Sequence, residues 1–205
     1  VGEASLPPYL EDTTESVVEF LEGLDPCQLT LENFEKARRY IQNFKQGNTA
    51  ARAAVEMALV SQYAQLNGVT LSEYLDVDER PVFTSYTFGI STREEMATKL
   101  NEAKDFKSFK LKLGSENDLQ ILKDFGELCD KPFSVDVNQG WSDFGYAKEV
   151  AERLREMGCL FIEQPFNAQN IELHLRLKEE NLVPVFADES IQGLKDFEER
   201  SEAFD

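Results

Sequence analysis

The pattern of apolar and polar positions divides the chain into two regions that meet near residue 80. The first region reads as helical, because capping residues precede stretches that have helical periodicity. These signals predict helices from Thr13 to about Leu24, from Thr30 through Phe44 and from Ala50 to Leu66. The third helix is rich in alanine, and its predicted apolar stripe consists of Ala53, Met57, Val60 and Ala64.

From Pro81 onwards, short β-branched or aromatic runs alternate with amphipathic helical stretches. The predicted strands are Val82–Phe88, Ser108–Leu113, Phe133–Val137, Leu160–Glu163 and Val183–Ala187. The predicted helices lie near residues 92–104, 116–128, 144–157, 168–180 and 193–200. This alternation indicates parallel strands that are joined by right-handed crossover helices. A doubly wound sheet and a TIM barrel both have this pattern.

Composition narrows the class of protein. The hydrophobic fraction of 41% and the charged fraction of 29% are typical of a globular domain, and no apolar run is long enough for a transmembrane helix. The three cysteines have neither disulfide nor metal-site spacing, so we expect reduced thiols and a cytoplasmic protein. The net charge of −18 argues against binding to nucleic acid or to a membrane. It serves solubility or, alternatively, attracts cationic substrates.

Carboxylates follow three consecutive predicted strands. Asp136, Glu163 and Asp188 each lie at or just after the end of a strand, one βα unit apart. Successive parallel strands place these ends side by side on the edge where α/β folds bind ligands. Because three neighbouring carboxylates repel each other, we expect a bound divalent cation, and oxygen ligands favour Mg²⁺ or Mn²⁺. The alternative is that each acid only caps the helix after its strand.

Lys110 and Lys112 lie in the second predicted strand, within Phe-Lys-Leu-Lys-Leu-Gly. Side chains alternate along a strand, so both lysines point to one face and their apolar neighbours to the other. In a barrel the apolar face meets the helices, and the lysines point inward. Neighbouring ammonium groups and desolvation lower a lysine pKa, which suits a general base beside a divalent cation and abstraction of a proton α to a carboxylate. The alternative is an antiparallel strand with a hydrated lysine face.

Four motifs carry a family resemblance: Lys-x-Lys from Lys110, Asp-x-Asn-Gln-Gly-Trp from Asp136, Glu-Gln-Pro from Glu163 and Ala-Asp-Glu-Ser from Ala187. In these motifs and their order the chain resembles the muconate-lactonising subgroup of the enolase superfamily. The segment Thr84–Ile90 is similar to the first barrel strand of the dipeptide epimerases in that subgroup. Residues 2–9 resemble the end of the family's N-terminal strands.

The resemblance implies an α/β fold, a partial TIM-type (β/α) barrel preceded by the helical part of an α+β capping domain. Residues 1–80 would form the capping-domain portion. Residues 81–205 would form about five βα units of a (β/α)7β-type barrel, whereas a complete TIM barrel needs about 250 residues.

The resemblance also implies roles for individual residues. Three would ligate Mg²⁺: Asp136, Glu163 and Asp188. Lys112 would exchange the α-proton of the substrate, and Lys110 would lower the pKa of Lys112. Four further residues, which are alternatively structural, would orient the ligands or lie near the substrate: Asn138, Gln164 and Glu189 in the first case, and Thr87 in the second. Enolase-superfamily sites use such a base together with Mg²⁺, which stabilises an enediolate.

Three elements of the family are not found in the chain. They are the second lysine, which lies on the sixth barrel strand, the Asp-x-Asp element that holds the substrate ammonium group, and the first capping strands. Lys195 lies in a predicted helix and cannot replace the second lysine. We therefore expect the chain to be part of a longer protein, and this part alone to be inactive.

The favoured function is epimerisation of dipeptides at the α-carbon of the C-terminal residue, by an isomerase that uses Mg²⁺. The alternatives are another reaction of the subgroup, either muconate cycloisomerisation or o-succinylbenzoate synthesis, and a non-catalytic metal-binding module. The expected partners are a dipeptide and, as in much of the family, further copies of the chain. His174, the only histidine, is predicted to lie without a role in a surface helix, and Trp141 to pack rather than bind.

Overall fold

The structure is a computed structural model that describes residues 1–7, 12–78 and 82–205. The chain divides into two compact units, Val1–Pro81 and Val82–Asp205. Residues 2–7 form no strand, and the rest of the segment predicted to end the N-terminal strands, Pro8 and Tyr9, lies outside the described residues. Within the described ranges, no helix has both the length and the apolar character needed to cross a bilayer.

Helices make up the first unit. Over residues 12–78 they are α1 (Thr14–Gly23), α2 (Phe34–Asn43), α3 (Thr49–Leu66) and α4 (Leu71–Leu75). Two 3₁₀ turns, Pro26–Gln28 and Leu31–Asn33, lie between α1 and α2. The long helix α3 contacts both α1 and α2, because Ala51 packs with Phe20 of α1 and Leu59 packs with Phe34 of α2.

Two predictions for this unit are wrong in detail. Thr30 precedes a 3₁₀ turn and makes no capping hydrogen bond through its side chain. The α-helix begins only at Phe34. The apolar stripe of α3 is also displaced, since Met57 is exposed and the buried positions are Ala50, Ala51, Ala54, Leu59 and Ala64. Small apolar residues of α3 lie around most of its circumference, so the periodicity of its sequence does not select one buried face.

The second unit alternates strands and helices as predicted. Over residues 82–205 the strands are β1 (Ser85–Phe88), β2 (Ser108–Lys112), β3 (Phe133–Asp136), β4 (Ile162–Glu163) and β5 (Val185–Phe186). The helices are α5 (Arg93–Glu102), α6 (Asp118–Leu128), α7 (Phe144–Glu156), α8 (Ile171–Glu179) and α9 (Leu194–Arg200), and a 3₁₀ turn follows at Ser201–Ala203.

The strands form one parallel sheet in the order β1-β2-β3-β4-β5. A doubly wound sheet reverses its strand order at a switch point, whereas a barrel adds each new strand beside the previous one. The sequential order therefore decides between the two alternatives in favour of the barrel type of sheet. The predicted α/β class with a partial barrel-type arrangement is confirmed.

The centre of the sheet is an apolar row that crosses every strand of residues 82–205. Its members occupy matching register positions and are almost fully buried: Phe88, Leu111, Val135, Ile162 and Val185. The row belongs to a core that includes side chains from the helices α5 to α8. Because side chains alternate along a strand, the positions on either side of this row point to the opposite face of the sheet.

Candidate active site

Polar residues follow the apolar row at the carboxyl ends of the strands. Lys112 pairs in register with Asp136, and Asp136 pairs with Glu163. Lys110 lies one pleat before Lys112 on the same face, and its register partner on β1 is the exposed Thr87. The structure thus brings these five predicted site residues to one face of the sheet.

The two lysines share one carboxylate. Nζ of Lys110 lies 2.8 Å from Oδ2 of Asp136 and 2.7 Å from Oε1 of Glu163. Nζ of Lys112 lies 2.7 Å from the same Oδ2 of Asp136 and also donates to Oδ1 of Asn138. The Asp136 side chain is almost fully buried, so the two ammonium groups neutralise a charge that is shielded from solvent.

These contacts determine the direction of two pKa shifts. Burial acts against the charged form of Lys110, but its hydrogen bonds to Asp136 and Glu163 outweigh burial and raise its pKa. Burial would also raise the pKa of Asp136, and the hydrogen bonds from both lysines reverse this effect and lower it. The mutual lowering expected for the lysine pair is therefore wrong for Lys110, because two carboxylates contact its ammonium group.

The other two acids shift in the opposite direction. The pKa of Glu163 is raised, first by burial and then by the negative charges of Asp136 and Asp188, despite the hydrogen bond from Lys110. The pKa of Asp188, two residues beyond β5, is raised by burial and by its acidic neighbours Glu189 and Asp136. Each of these carboxylates is thus disfavoured in its charged form by burial and by neighbouring acids, and a bound cation would relieve that repulsion.

Asn138 and Glu189 lie in the loops that follow β3 and β5. The backbone N–H of Asn138 donates to Oδ1 of Asp136 over 3.0 Å, and its Nδ2 lies 3.4 Å from Oε1 of Glu189. Oε2 of Glu189 is buried and has no hydrogen-bond partner among the described residues. Asn138 contacts Asp136 through its backbone N–H, and the role of its side chain in orienting the metal ligands stays a prediction.

Gln164 occupies a fully buried position directly after Glu163, in the left-handed conformation with φ of 41°. Its Oε1 accepts hydrogen bonds from the backbone N–H groups of Asp188 and Ser190 over 2.9 and 3.0 Å. Gln164 therefore supports the segment that carries Asp188, and it touches the backbone of that residue rather than its carboxylate.

The prediction that His174 lies on a surface helix is wrong. His174 is fully buried in α8, and its ring contacts Gln164, Phe166 and Phe204. The signal that sequence reasoning missed is the spacing of His174 with the partly buried Ile171 and the buried Leu177, which places all three on one face of the helix.

The donor chemistry of this edge fits a hard divalent cation. Asp136, Glu163 and Asp188 supply only oxygen atoms, and the buried Oε2 of Glu189 lacks a partner among the described residues. Within those residues, however, no group of three or more acidic, histidine or cysteine side chains is arranged to hold a metal ion. The ammonium group of Lys110 lies between Asp136 and Glu163 and balances their charge in this structure.

Comparison with known proteins identifies the family. A family model described as enolase C-terminal domain-like matches residues 92–203. The chain belongs to this family. It is 36% identical over 203 residues to the L-Ala-D/L-Glu epimerase of Bacteroides thetaiotaomicron, covering 95% of this chain and 52% of that protein. It is 31% identical to the L-Ala-D/L-amino acid epimerase of Flavobacterium johnsoniae, covering 92% of this chain and 56% of the relative.

Other members of the enolase family catalyse a different reaction. The chloromuconate cycloisomerase of Cupriavidus necator is 32% identical over 171 residues, covering 79% of this chain and 46% of that enzyme. The solved structure of a muconate cycloisomerase variant superposes with a TM-score of 0.82 at 26% identity, covering 98% of this chain and 60% of that one. The chain spans about half the length of the curated relatives that it matches.

Proposed function

We propose that the full-length protein is a Mg²⁺-dependent dipeptide epimerase, which removes the α-proton of the C-terminal residue of a dipeptide from one face and returns a proton to the other face. The observation that carries this proposal is the position of Lys112. Its ammonium group lies 2.7 Å from Asp136, at the strand ends where Glu163 is in register. A lysine beside carboxylates that suit a divalent cation is the pairing needed to remove a proton next to a carboxylate.

The relatives support the epimerase over other reactions of the family. The two epimerases described above match 95% and 92% of the chain, whereas the chloromuconate cycloisomerase matches 79%. Because the chain spans about half of each relative, the proposal concerns the longer protein to which this active-site edge belongs.

Each residue of the edge has a distinct role in the proposal. Nζ of Lys112 exchanges the α-proton on one face of the α-carbon, and Lys110 places a second positive charge beside it. Inversion also needs an acid–base group on the opposite face, which the longer protein would supply. Asp136, Glu163 and Asp188 would hold Mg²⁺. When bound, Mg²⁺ would orient the substrate carboxylate and stabilise the negative charge that develops on its oxygens. Thr87 lies on the same face as Lys110 and would contact the substrate.

The second candidate is muconate-type cycloisomerisation, for which the family supplies a specific observation. The fold of this chain matches that of a muconate cycloisomerase variant over 98% of this chain, with the TM-score of 0.82. The same lysine and carboxylates would serve that reaction. The two candidate functions therefore differ in their substrates and not in the residues at the strand ends.

The test is exchange of the substrate α-proton. The full-length protein is incubated with Mg²⁺ and a panel of L,L-dipeptides in D₂O, and deuterium uptake is followed by mass spectrometry. Uptake by the parent and a loss of roughly 10²- to 10⁴-fold in Lys112→Ala are expected. Lys123→Ala is the matched control, because Lys123 is an exposed lysine of α6. No uptake into any dipeptide, together with turnover of a muconate, would establish the second candidate instead.

A further inference from the structure

Gln164 and His174 form a buried hydrogen-bond network. The backbone donors and acceptors around them determine which of their side-chain atoms carry hydrogen. Nδ1 of His174 lies 3.0 Å from the carbonyl oxygen of Asn170, which can only accept, so Nδ1 carries the proton. Nε2 is therefore an acceptor in the neutral ring. It faces two donors, Nε2 of Gln164 at 3.2 Å and the backbone N–H of Phe166 at 3.4 Å.

The orientation of the Gln164 amide follows independently. Two backbone N–H groups, from Asp188 and Ser190, point at one of its terminal atoms, which must therefore be the oxygen. The amide nitrogen then faces His174, the hydroxyl oxygen of Ser190 at 2.6 Å and the carbonyl of Phe166 at 3.0 Å. The contacts of His174 and those of Gln164 therefore agree. Donors and acceptors alternate from α8 to the loop after β5.

We infer that His174 is a positioning residue for the Asp188 carboxylate, acting through Gln164. The acceptor Nε2 of His174 holds the Gln164 amide with its oxygen towards the N–H groups of Asp188 and Ser190. Removing that acceptor takes away one of the three acceptors around the Gln164 amide nitrogen and leaves the backbone N–H of Phe166 without this partner, so the amide is held less firmly in its orientation. The backbone N–H groups of Asp188 and Ser190 then lose the Gln164 oxygen that accepts their hydrogen bonds. This inference rests on the proposed function only in giving Asp188 a role in binding Mg²⁺.

The environment of His174 supports a neutral acceptor. The ring packs edge-on against Phe166 and lies 5.0 Å from the Phe204 ring, and the residue has no exposed surface. Burial lowers the pKa of His174, which keeps the neutral form present at physiological pH. A role in packing alone would require none of the polar partners described above, so the two roles make different predictions.

The experiment compares three variants of the full-length protein. His174→Phe keeps an aromatic ring but removes the acceptor, whereas His174→Gln can present an oxygen near the position of Nε2. Leu177→Ala is the packing control, since Leu177 is a buried apolar residue of the same helix. Hydrogen–deuterium exchange of peptides that contain residues 186–191 is measured without metal, and the dissociation constant for Mg²⁺ is measured by calorimetry.

We expect His174→Phe to accelerate exchange in residues 186–191 and to weaken Mg²⁺ binding by roughly 10- to 100-fold. His174→Gln should restore Mg²⁺ binding to within about threefold of the parent, and Leu177→Ala should lower the melting temperature without that loss of affinity. Equal effects of His174→Phe and Leu177→Ala on exchange and affinity would overturn the inference. If the parent itself binds no Mg²⁺ but the exchange results hold, the positioning of this segment stands and the proposed metal-dependent function fails.

Discussion

The indole nitrogen of Trp141 donates a hydrogen bond to Oδ2 of Asp118 over 2.8 Å, and both residues are buried. The same carboxylate accepts hydrogen bonds from the backbone N–H groups of Gly114 and Ser115. Asp118 therefore connects the loop after β2 with the loop after β3. The prediction that Trp141 packs is confirmed, since its ring also contacts Phe166.

Replacing Trp141 with phenylalanine tests this connection. The Trp141→Phe variant should lower the free energy of unfolding by about 1–3 kcal/mol, because a buried carboxylate oxygen loses a donor. Urea unfolding of the full-length protein measures the change. Tyr146→Phe is the control, since it removes a neutral hydrogen bond to the Ser115 carbonyl, and it should cost only about 0.5–1 kcal/mol. If both variants lowered the free energy of unfolding equally, the hydrogen bond to the Asp118 carboxylate would be no stronger than the one to the Ser115 carbonyl.

Gly114 should tolerate a side chain poorly, for two reasons. Its φ is +103°, and a Cβ there would lie 2.6 Å from the carbonyl oxygen of Val137. Gly114→Ala should therefore destabilise the protein by about 3 kcal/mol or more, through backbone strain and a clash with backbone atoms.

Gly158 provides the matched comparison for that substitution. It also has positive φ, at +73°, but a Cβ there would meet nothing within 4 Å. Gly158→Ala should cost only about 1–2 kcal/mol, which is the conformational penalty alone. Thermal and urea unfolding of both variants would measure the difference, and a smaller loss for Gly114→Ala would show that the two loops do not approach each other closely.

The buried His174 should make the protein less stable in mild acid. Burial lowers its pKa in the folded state, whereas the unfolded chain takes up a proton near the ordinary pKa of about 6.5. Below about pH 6.5 the unfolded state binds more protons, so the free energy of unfolding should fall by up to about 1.4 kcal/mol per pH unit. Above that pH the contribution is constant.

Unfolding titrations from about pH 5.5 to about pH 7.5, on either side of the ordinary histidine pKa, would measure the slope. The control is His174→Gln, which cannot titrate but keeps the acidic residues near the strand ends, so their contributions cancel between the two proteins. The expected result is a smaller dependence on pH in the variant. Identical slopes would mean that His174 is already protonated, or is exposed, in the folded protein.

Lys110 and Glu163 should be energetically coupled. Their side chains are only 21% and 18% exposed, and Nζ lies 2.7 Å from Oε1. A double-mutant cycle with Lys110→Met and Glu163→Gln, measured by urea unfolding in the presence of a chelator, should give a coupling energy of about 1–3 kcal/mol. Removing Lys110 alone leaves Glu163 near other acids, and replacing Glu163 as well relieves that repulsion.

A second cycle on a more exposed pair serves as the control for this coupling. Lys148 and Glu180 lie 2.6 Å apart, but their side chains are 40% and 32% exposed. Solvent screens this pair, and its coupling energy should stay below about 1 kcal/mol. If both cycles gave the same small value, the ion pairs at the strand ends would be no stronger than a surface salt bridge.

Periodicity alone predicted the alternation of strands and helices in the second unit, but it did not distinguish a doubly wound sheet from a barrel. The alternation in Phe-Lys-Leu-Lys-Leu placed Phe109 and Leu111 in the core and Lys110 and Lys112 on the opposite face, as the structure has them. The strands β4 and β5 are shorter than predicted, because sequence patterns extend beyond the residues that have regular ladder pairing.

Two features of the site that sequence reasoning missed depend on contacts between different segments of the chain. The partners of His174 include Gln164 and Phe204, and its position in α8 alone shows neither. Likewise, the raised pKa of Lys110 depends on carboxylates from two other strands. A lysine pair in sequence predicts repulsion between the two charges, whereas the folded sheet supplies the opposite charges that outweigh it.

The apolar row from Phe88 to Val185 has a consequence for how such a protein can change over evolutionary time. Each strand contributes one side chain to the row, and the reactive side chains point to the other face of the same strands. A mutation at a reactive position therefore leaves the interior contacts between strand and helix untouched. Lineages that share this sheet can therefore exchange the reactive side chains while they keep the same interior row.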